Sequence, residues 1–231
     1  MLFNSEIFLF LFLPIVLVLY LITPRPRRNS LLLIVSLIFY AWGGIKMIVL
    51  ILASILLNYI IGIGIENFKG KKRARQVLAF GIISNIGLLC VFKYLNFFTE
   101  NLNKLLTTFN VREVSLPSIA LPIGISFFTF HGLSYIIDVY RNKVIAQRNI
   151  IDHGLYITLF PQLIAGPIVR YHDISEQIAS RKITLQLFAS GIERFIIGLA
   201  KKILLANSFA DRKSTRLNSS HIQKSRMPSS A

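Results

Sequence analysis

The 231-residue chain has one cysteine, Cys90, one tryptophan, and only 10 acidic residues against 26 Lys and Arg. A single cysteine excludes an intrachain disulfide, and because Cys90 lies within an apolar string we expect it to serve in packing. The shortage of acidic residues leaves a formal net charge of +16. In a water-soluble protein, such a charge would suggest a nucleic-acid partner.

Long hydrophobic runs are what the sequence has in abundance. Hydrophobic residues make up 54% of the chain and the mean hydropathy is +0.61, and they are clustered in blocks of the length that a membrane helix needs, about 20 residues. The basic residues lie in the short connections between blocks, as the positive-inside rule requires, which argues against nucleic-acid binding. The sequence therefore predicts an all-α, polytopic transmembrane bundle whose environment is the lipid bilayer.

The apolar blocks predict six or seven membrane helices. Gly43 and Gly44 divide one long apolar stretch, because an unbroken helix over residues 31–65 would be about 52 Å long, too long to cross the bilayer once. The first span is interpreted as uncleaved, with the N-terminus extracytoplasmic, because a basic cluster follows its apolar core and none precedes it. The predicted blocks are residues 7–22, 30–42, 45–65, 77–94, 121–141, 151–160 and 185–205, with an outer loop near residues 96–117.

The character of the chain changes at Asp211. The string "DRKSTRLNSSH" resembles an in-frame translation of a common short-read sequencing adapter, and "SRMPSSA" resembles its continuation. We therefore interpret residues 1–210 as a truncated transmembrane domain and residues 211–231 as a disordered, non-native tail.

The stretch "FPQLIAGPIVRY" places polar residues and two prolines at the end of an apolar block. Each proline removes a backbone donor and restricts the residue before it, so a continuous helix is not expected here. Broken backbone at membrane depth requires a protein interior or a wet cavity, and Gln162 and Arg170 would need such surroundings. The alternative is an ordinary interfacial connection with Arg170 among the headgroups.

A second polar pattern lies in "SFFTFHGLSYIIDVYR". Asp138 and Arg141 are three residues apart, so they could pair or simply mark the cytoplasmic boundary. A lone buried histidine such as His131 is more often a hydrogen-bonded structural residue than a general base, and no metal-ligand spacing accompanies it. No metal site is predicted.

Six strings, in this order, together resemble the alginate O-acetyltransferase branch of the membrane-bound O-acyltransferase family: "SEIFLFLFLPIVLVLYLI", "RNSLLLIVSLIFYAWG", "SILLNYIIG", "FKYLNFF", "LPIGISFFTFHGLSYIIDVYR" and "LFPQLIAGPIVRY". The resemblance implies a cell-membrane enzyme that moves an acetyl group from a cytoplasmic donor to the hydroxyls of an extracytoplasmic polysaccharide such as alginate. No bound cofactor is implied; acetyl-CoA or another acyl thioester would be a co-substrate. Extracytoplasmic acetyl-transfer proteins would be partners.

The resemblance also bears on individual residues. The family's catalytic histidine lies in a later helix, beyond Ala210, so the chain contains no residue matched to it and is expected to be inactive by itself. His131 stands where relatives often carry glutamine. The positions that match the family's motifs, as cavity-forming or structural residues, are Asp138, Arg141, Pro161, Gln162, Gly166, Pro167 and Arg170.

Two other functions remain open from the sequence. Broken helices and buried polar groups also suit a transporter or lipid flippase. A noncatalytic membrane component of a polysaccharide export complex would show the same pattern.

Overall fold

The computed structural model describes residues 5–109, 112, 121–163, 166, 169–181 and 183–207. The predicted tail at 211–231 lies outside the described residues, as does Pro167. The described part consists of helices and their connections, with no strand, which confirms the all-α class. Its α-helices are α1 (Leu13–Ile22), α2 (Arg28–Ala41), α3 (Lys46–Asn67), α4 (Lys72–Thr108), α5 (Ile125–Tyr140), α6 (Ile150–Thr158), α7 (Phe160–Leu163), α8 (Tyr171–Ala179) and α9 (Leu185–Ala200).

The contacts divide the chain into two units. The larger unit comprises residues 12–181 and holds helices α1 to α8. Of the described residues, the smaller unit contains 5–11 and 183–207, including α9, none of whose residues is buried, and a π-helical segment, Lys201–Asn207. All of the sites discussed below lie within the larger unit.

The predicted break at the paired glycines is confirmed. Helix α2 ends at Ala41 and α3 begins at Lys46, with a turn between them. Gly44 has a φ of 147°, a conformation that a residue with a side chain rarely adopts. The glycine thus allows the chain to turn where one straight helix would have been too long.

Helices α3 and α4 have the properties of membrane spans. Windows within them have mean hydropathies of 2.6 and 1.8, yet only 39% and 11% of those windows is buried inside the protein. An apolar helix surface that the protein does not cover is stable against lipid rather than water. Within the described residues no other helix is long and apolar enough to cross alone, although Ile7–Ile22 forms a shorter apolar helix. The multi-pass arrangement remains a prediction.

Helix α4 is longer than the sequence suggested. We expected its span to end near Tyr94 and a loop to follow over residues 96–117, but the helix continues to Thr108. Residues 95–108 contain three Asn and three Thr but also four Leu, a good helix former, so a helix can continue there although its last turns are exposed. The prediction of a loop over residues 96–108 was wrong.

The core of the larger unit forms where α3 packs against α4, α5 and α6 and where α2 packs against α6. Glycines permit the closest approaches. A Cβ at Gly62 would lie 2.5 Å from the Tyr135 ring, and one at Gly81 would lie 2.9 Å from the side chains of Ile61 and Ile136. These contacts hold α5, which carries most of the predicted polar positions, in the centre of the bundle.

Candidate functional site

A buried cluster of tyrosines joins α5, α6 and α8. The ring centroids of Tyr135 and Tyr156 lie 5.1 and 5.0 Å from that of Tyr171, both in edge-to-face contact. Gln147 connects two of the hydroxyls: its backbone N–H donates to Tyr135 at 3.0 Å and its side-chain amide donates to Tyr171 at 3.1 Å. Burial raises the pKa of Tyr171 and the hydrogen bond from Gln147 opposes this. The hydroxyl therefore remains protonated and available for hydrogen bonding.

His172 lies between two carboxylates. Its Nδ1 is 3.2 Å from Asp138 Oδ2 and its Nε2 is 2.9 Å from Asp173 Oδ1. An ionised carboxylate only accepts hydrogen bonds, so both ring nitrogens donate only when the ring is an imidazolium. The side chain of Asp138 is 6% exposed and that of Asp173 is 53% exposed. The buried Asp138 thus has a hydrogen-bond partner on α8, and this contact attaches α8 to α5.

Gln162 supports the broken backbone that follows α6. Leu159 leaves the helical conformation, with φ −49° and ψ 114°, and the short α7 follows. The Gln162 amide donates to the Tyr156 carbonyl at 2.5 Å, and the Phe160 N–H donates to the Ser36 hydroxyl at 3.2 Å. Side chains therefore bind backbone groups at the break, as buried non-helical backbone requires. The predicted interruption is confirmed.

Gly166 and Gly124 permit close backbone approaches on either side of this break. A Cβ on Gly166 would lie 2.5 Å from Gln162 Cα. Gly124 has φ 76°, and a Cβ there would lie 2.9 Å from the Leu163 carbonyl oxygen. Of the matched motif, Gln162 and Gly166 thus have identifiable structural roles.

His131 is fully buried on α5, where its ring meets that of Tyr156 at 5.4 Å. Neither ring nitrogen has a hydrogen-bond partner among the described residues. The sequence favoured a hydrogen-bonded structural histidine here, and the structure agrees on burial but not on the hydrogen bond. Burying a polar group without a hydrogen bond costs free energy, so His131 destabilises the interior locally.

A cavity of about 860 Å³ opens beside the polar residues at the C-terminal end of α5. It lies between the α3–α4 turn, the segment after α5, and α8. Its lining includes Glu66, Tyr171 and Glu176 together with five basic side chains: Lys69, Lys71, Lys72, Arg75 and Lys143. We call it the basic cavity.

The remaining predicted site residues are on the surface. Arg141, Pro161 and Arg170 are exposed, whereas Asp138 and Gln162 are buried. The residue opposite Asp138 is His172 rather than Arg141. Sequence reasoning missed the roles of His172, Gln147 and the tyrosines, because the signal for each lies in a contact between distant parts of the chain.

Comparison with known proteins identifies relatives over most of the chain. It is 43% identical over 212 residues to the probable alginate O-acetylase AlgI of Azotobacter vinelandii, and 43% identical over 211 residues to that of Pseudomonas aeruginosa. Each alignment covers 91% of the chain. The chain belongs to the membrane-bound O-acyltransferase family. This confirms the resemblance read from the motifs.

A more distant relative broadens the comparison. The peptidoglycan O-acetyltransferase of Helicobacter pylori is 31% identical over 242 aligned positions, again covering 91% of the chain. The chain spans 42%, 41% and 45% of the lengths of these three relatives. No family model matches the chain, and no solved structure matches it.

Proposed function

We propose that this chain is the N-terminal part of a membrane O-acetyltransferase that transfers an acetyl group from a thioester to the hydroxyls of an extracytoplasmic polysaccharide. The observation that carries the proposal is the 43% identity, over nine tenths of the chain, to proteins named as alginate O-acetylases. Alginate is the acceptor that those names favour. Acetyl-CoA or another acyl thioester is the donor, and extracytoplasmic acetyl-transfer proteins are the partners.

The proposed enzyme crosses the cell membrane several times, with the basic end of the larger unit in the cytoplasm. Contacts between loops support one common end: Glu66 binds Arg148 at 3.6 Å and accepts the Ala146 N–H at 3.0 Å. Asn29, next to the basic cluster at residues 25–28, donates to Asp152 at 2.7 Å. Three basic connections therefore lie together, and the positive-inside rule assigns them to the cytoplasm. The N-terminus then lies on the other side.

The proposed chemistry is acyl transfer from sulfur to oxygen. The acceptor oxygen forms a bond to the acetyl carbon, the carbon–sulfur bond breaks, and the hydroxyl proton passes through a general base to the leaving thiolate. That base is a histidine in the part of the family outside these alignments. Within this chain, Asp138, Gln162 and their partners hold α5, α7 and α8 in place around the reaction path, so the chain alone is expected to be inactive.

Two measurements test this proposal. Reading the gene past codon 210 should replace the polar tail with further apolar helices that include a histidine. When the extended protein is produced with its partner proteins in a strain that makes alginate, the polymer should gain O-acetyl groups, and replacing that histidine with alanine should abolish them without changing membrane insertion. An extended protein that inserts normally but never acetylates a polysaccharide would favour the transporter or the noncatalytic component.

A further inference from the structure

The basic cavity carries more positive charge than its surroundings neutralise. Its lining has five basic side chains and two acidic ones, Glu66 and Glu176. Glu66 already accepts the Ala146 N–H and pairs with Arg148. Within the described part of the chain, none of the five basic side chains forms a salt bridge. Because the basic side chains that line this cavity outnumber its carboxylates, they attract an anion there.

The backbone at this place adds to the attraction for an anion. Gly70, with φ 78°, turns the chain between α3 and α4, and Lys71 is extended where α4 begins. No side chain caps this end of α4. The first turn of this 37-residue helix lines the cavity, so the partial positive charge of the helix N-terminus lies beside it.

The composition of the lining suits a phosphate group. Lysine ammonium groups bind phosphate as compact point charges, and Arg75 can donate two parallel hydrogen bonds to it. The volume of about 860 Å³ lies near the upper end of the range for small-ligand sites, which is about 300 to 1,000 Å³. An isolated phosphate would leave most of this space empty. Apolar side chains of Val139, Val144 and Ile145 also line it, so the ligand has a less polar portion.

We propose that the basic cavity binds the phosphate group of a larger ligand, held by Lys71, Lys72, Arg75 and Lys143. Two sources share this chemistry. One is the headgroup of an anionic phospholipid, since basic pockets at the cytoplasmic end of membrane helices bind such headgroups. The other is a soluble nucleotide phosphate. The proposal does not depend on the proposed acetyltransferase function, because it uses only the charge, geometry and volume of the cavity.

Helix α4 offers matched variants for a test. Arg75 lines the cavity, whereas Arg73, two residues earlier, does not line it and lies over the Phe68 ring at 5.8 Å. R75Q and R73Q therefore remove the same charge from the same helix. The double variant K71Q/K72Q is matched by K93Q/K104Q, whose lysines also belong to α4 but do not line the basic cavity.

The experiment uses the full 231-residue chain in neutral detergent and in lipid nanodiscs. The soluble arm measures the Kd for radiolabelled adenosine 3′,5′-bisphosphate. The lipid arm measures how much phosphatidylglycerol the protein retains, by native mass spectrometry, after exchange into excess phosphatidylcholine. Circular dichroism and thermal unfolding establish that each variant is folded.

We expect R75Q to weaken binding about tenfold and K71Q/K72Q to weaken it more, while R73Q and K93Q/K104Q stay within about twofold of the parent. Binding should also weaken as salt is added. If the cavity variants lose binding in the lipid arm alone, the ligand is a lipid headgroup. If they lose binding in the soluble arm alone, the ligand is a nucleotide. If the folded parent binds neither probe, or the cavity variants and their controls lose binding equally, the proposal is overturned.

Discussion

Two buried polar groups in the larger unit differ in how they are satisfied. Asn58 on α3 and Asn85 on α4 exchange amide hydrogen bonds at 3.2 and 2.9 Å, and each also donates to a backbone carbonyl of its own helix, at 2.9 and 2.8 Å. His131 on α5 is equally buried, but its ring nitrogens have no partner among the described residues. One interior thus contains a complete polar pair and an incomplete polar side chain.

The difference shows what each group contributes. The amide pair joins the two most membrane-like helices and fixes their register, since sliding one helix past the other would break both hydrogen bonds between the two side chains. His131 contributes packing against Tyr156 and loses hydrogen-bonding free energy by its burial. Removing the first group should therefore destabilise the bundle, whereas removing the second should not.

The largest effect is expected from crowding the amide pair. A Cβ at Gly132 would lie 2.5 Å from Asn58 Nδ2, so Gly132→Ala should force the pair apart and lower the free energy of unfolding by about 3 kcal/mol. Titration with sodium dodecyl sulfate measures this in mixed micelles. Gly87→Ala on α4 is the control, because nothing lies within 4 Å of the added Cβ. Equal stability of the two variants would refute the close contact.

Deleting one amide should have the next largest effect. Asn85→Leu removes the donor to the buried Asn58 side-chain oxygen and should lower the free energy of unfolding by about 2 kcal/mol. Asn58→Leu is expected to behave alike. The double variant should lose less than the sum of the two, because no unpaired group remains. Strict additivity in this double-mutant cycle would show that the two amides act independently.

A smaller effect is expected at the carboxylates beside His172. Asp138→Asn replaces the buried carboxylate beside His172 by an amide and should lower the free energy of unfolding by about 1.5 kcal/mol, because a carboxylate oxygen is a stronger hydrogen-bond acceptor than an amide oxygen. Asp173→Asn changes a carboxylate that is half exposed to water and should alter it by less than about 0.5 kcal/mol. The rate of protease cleavage within α8 reports how firmly this helix is attached to α5. If Asp173→Asn lowered the free energy of unfolding more than Asp138→Asn, then Asp173 rather than Asp138 would be the main partner of His172.

The smallest effect, of opposite sign, is expected at His131. His131→Leu replaces an unpaired polar ring by an apolar side chain and should raise the free energy of unfolding by about 0.5 kcal/mol. The same detergent titration measures it. A loss comparable to that of Asn85→Leu would show that the imidazole is hydrogen-bonded, and the contrast between the two groups would disappear.

The sequence predicted those features of the fold that short segments determine. Gly43 and Gly44 break a stretch too long for one span, and the broken backbone near Pro161 begins where α6 ends at Thr158. Both follow from local rules on helix length, glycine and proline. The family motifs likewise led to the relatives, because they are contiguous strings.

The contacts that build the candidate site were not predictable in the same way. Asp138 pairs with His172, 34 residues away, and Asn58 pairs with Asn85, 27 residues away. Only the packing of helices decides which polar side chains meet. The C-terminal end of α4 was not predicted either, because polar residues in exposed final turns neither require a helix nor end one.

The length of α4 constrains how the protein sits in a bilayer. Its 37 residues extend about 56 Å, whereas the hydrocarbon layer is about 30 Å thick. Even a tilt of about 40° would leave more than 10 Å of this helix outside the acyl chains. With Lys72 at the headgroups of one leaflet, the turns near Thr108 project beyond the other leaflet. Exposed aromatic residues of α4, Phe97 and Phe98 among them, then lie near the interface between lipid and water.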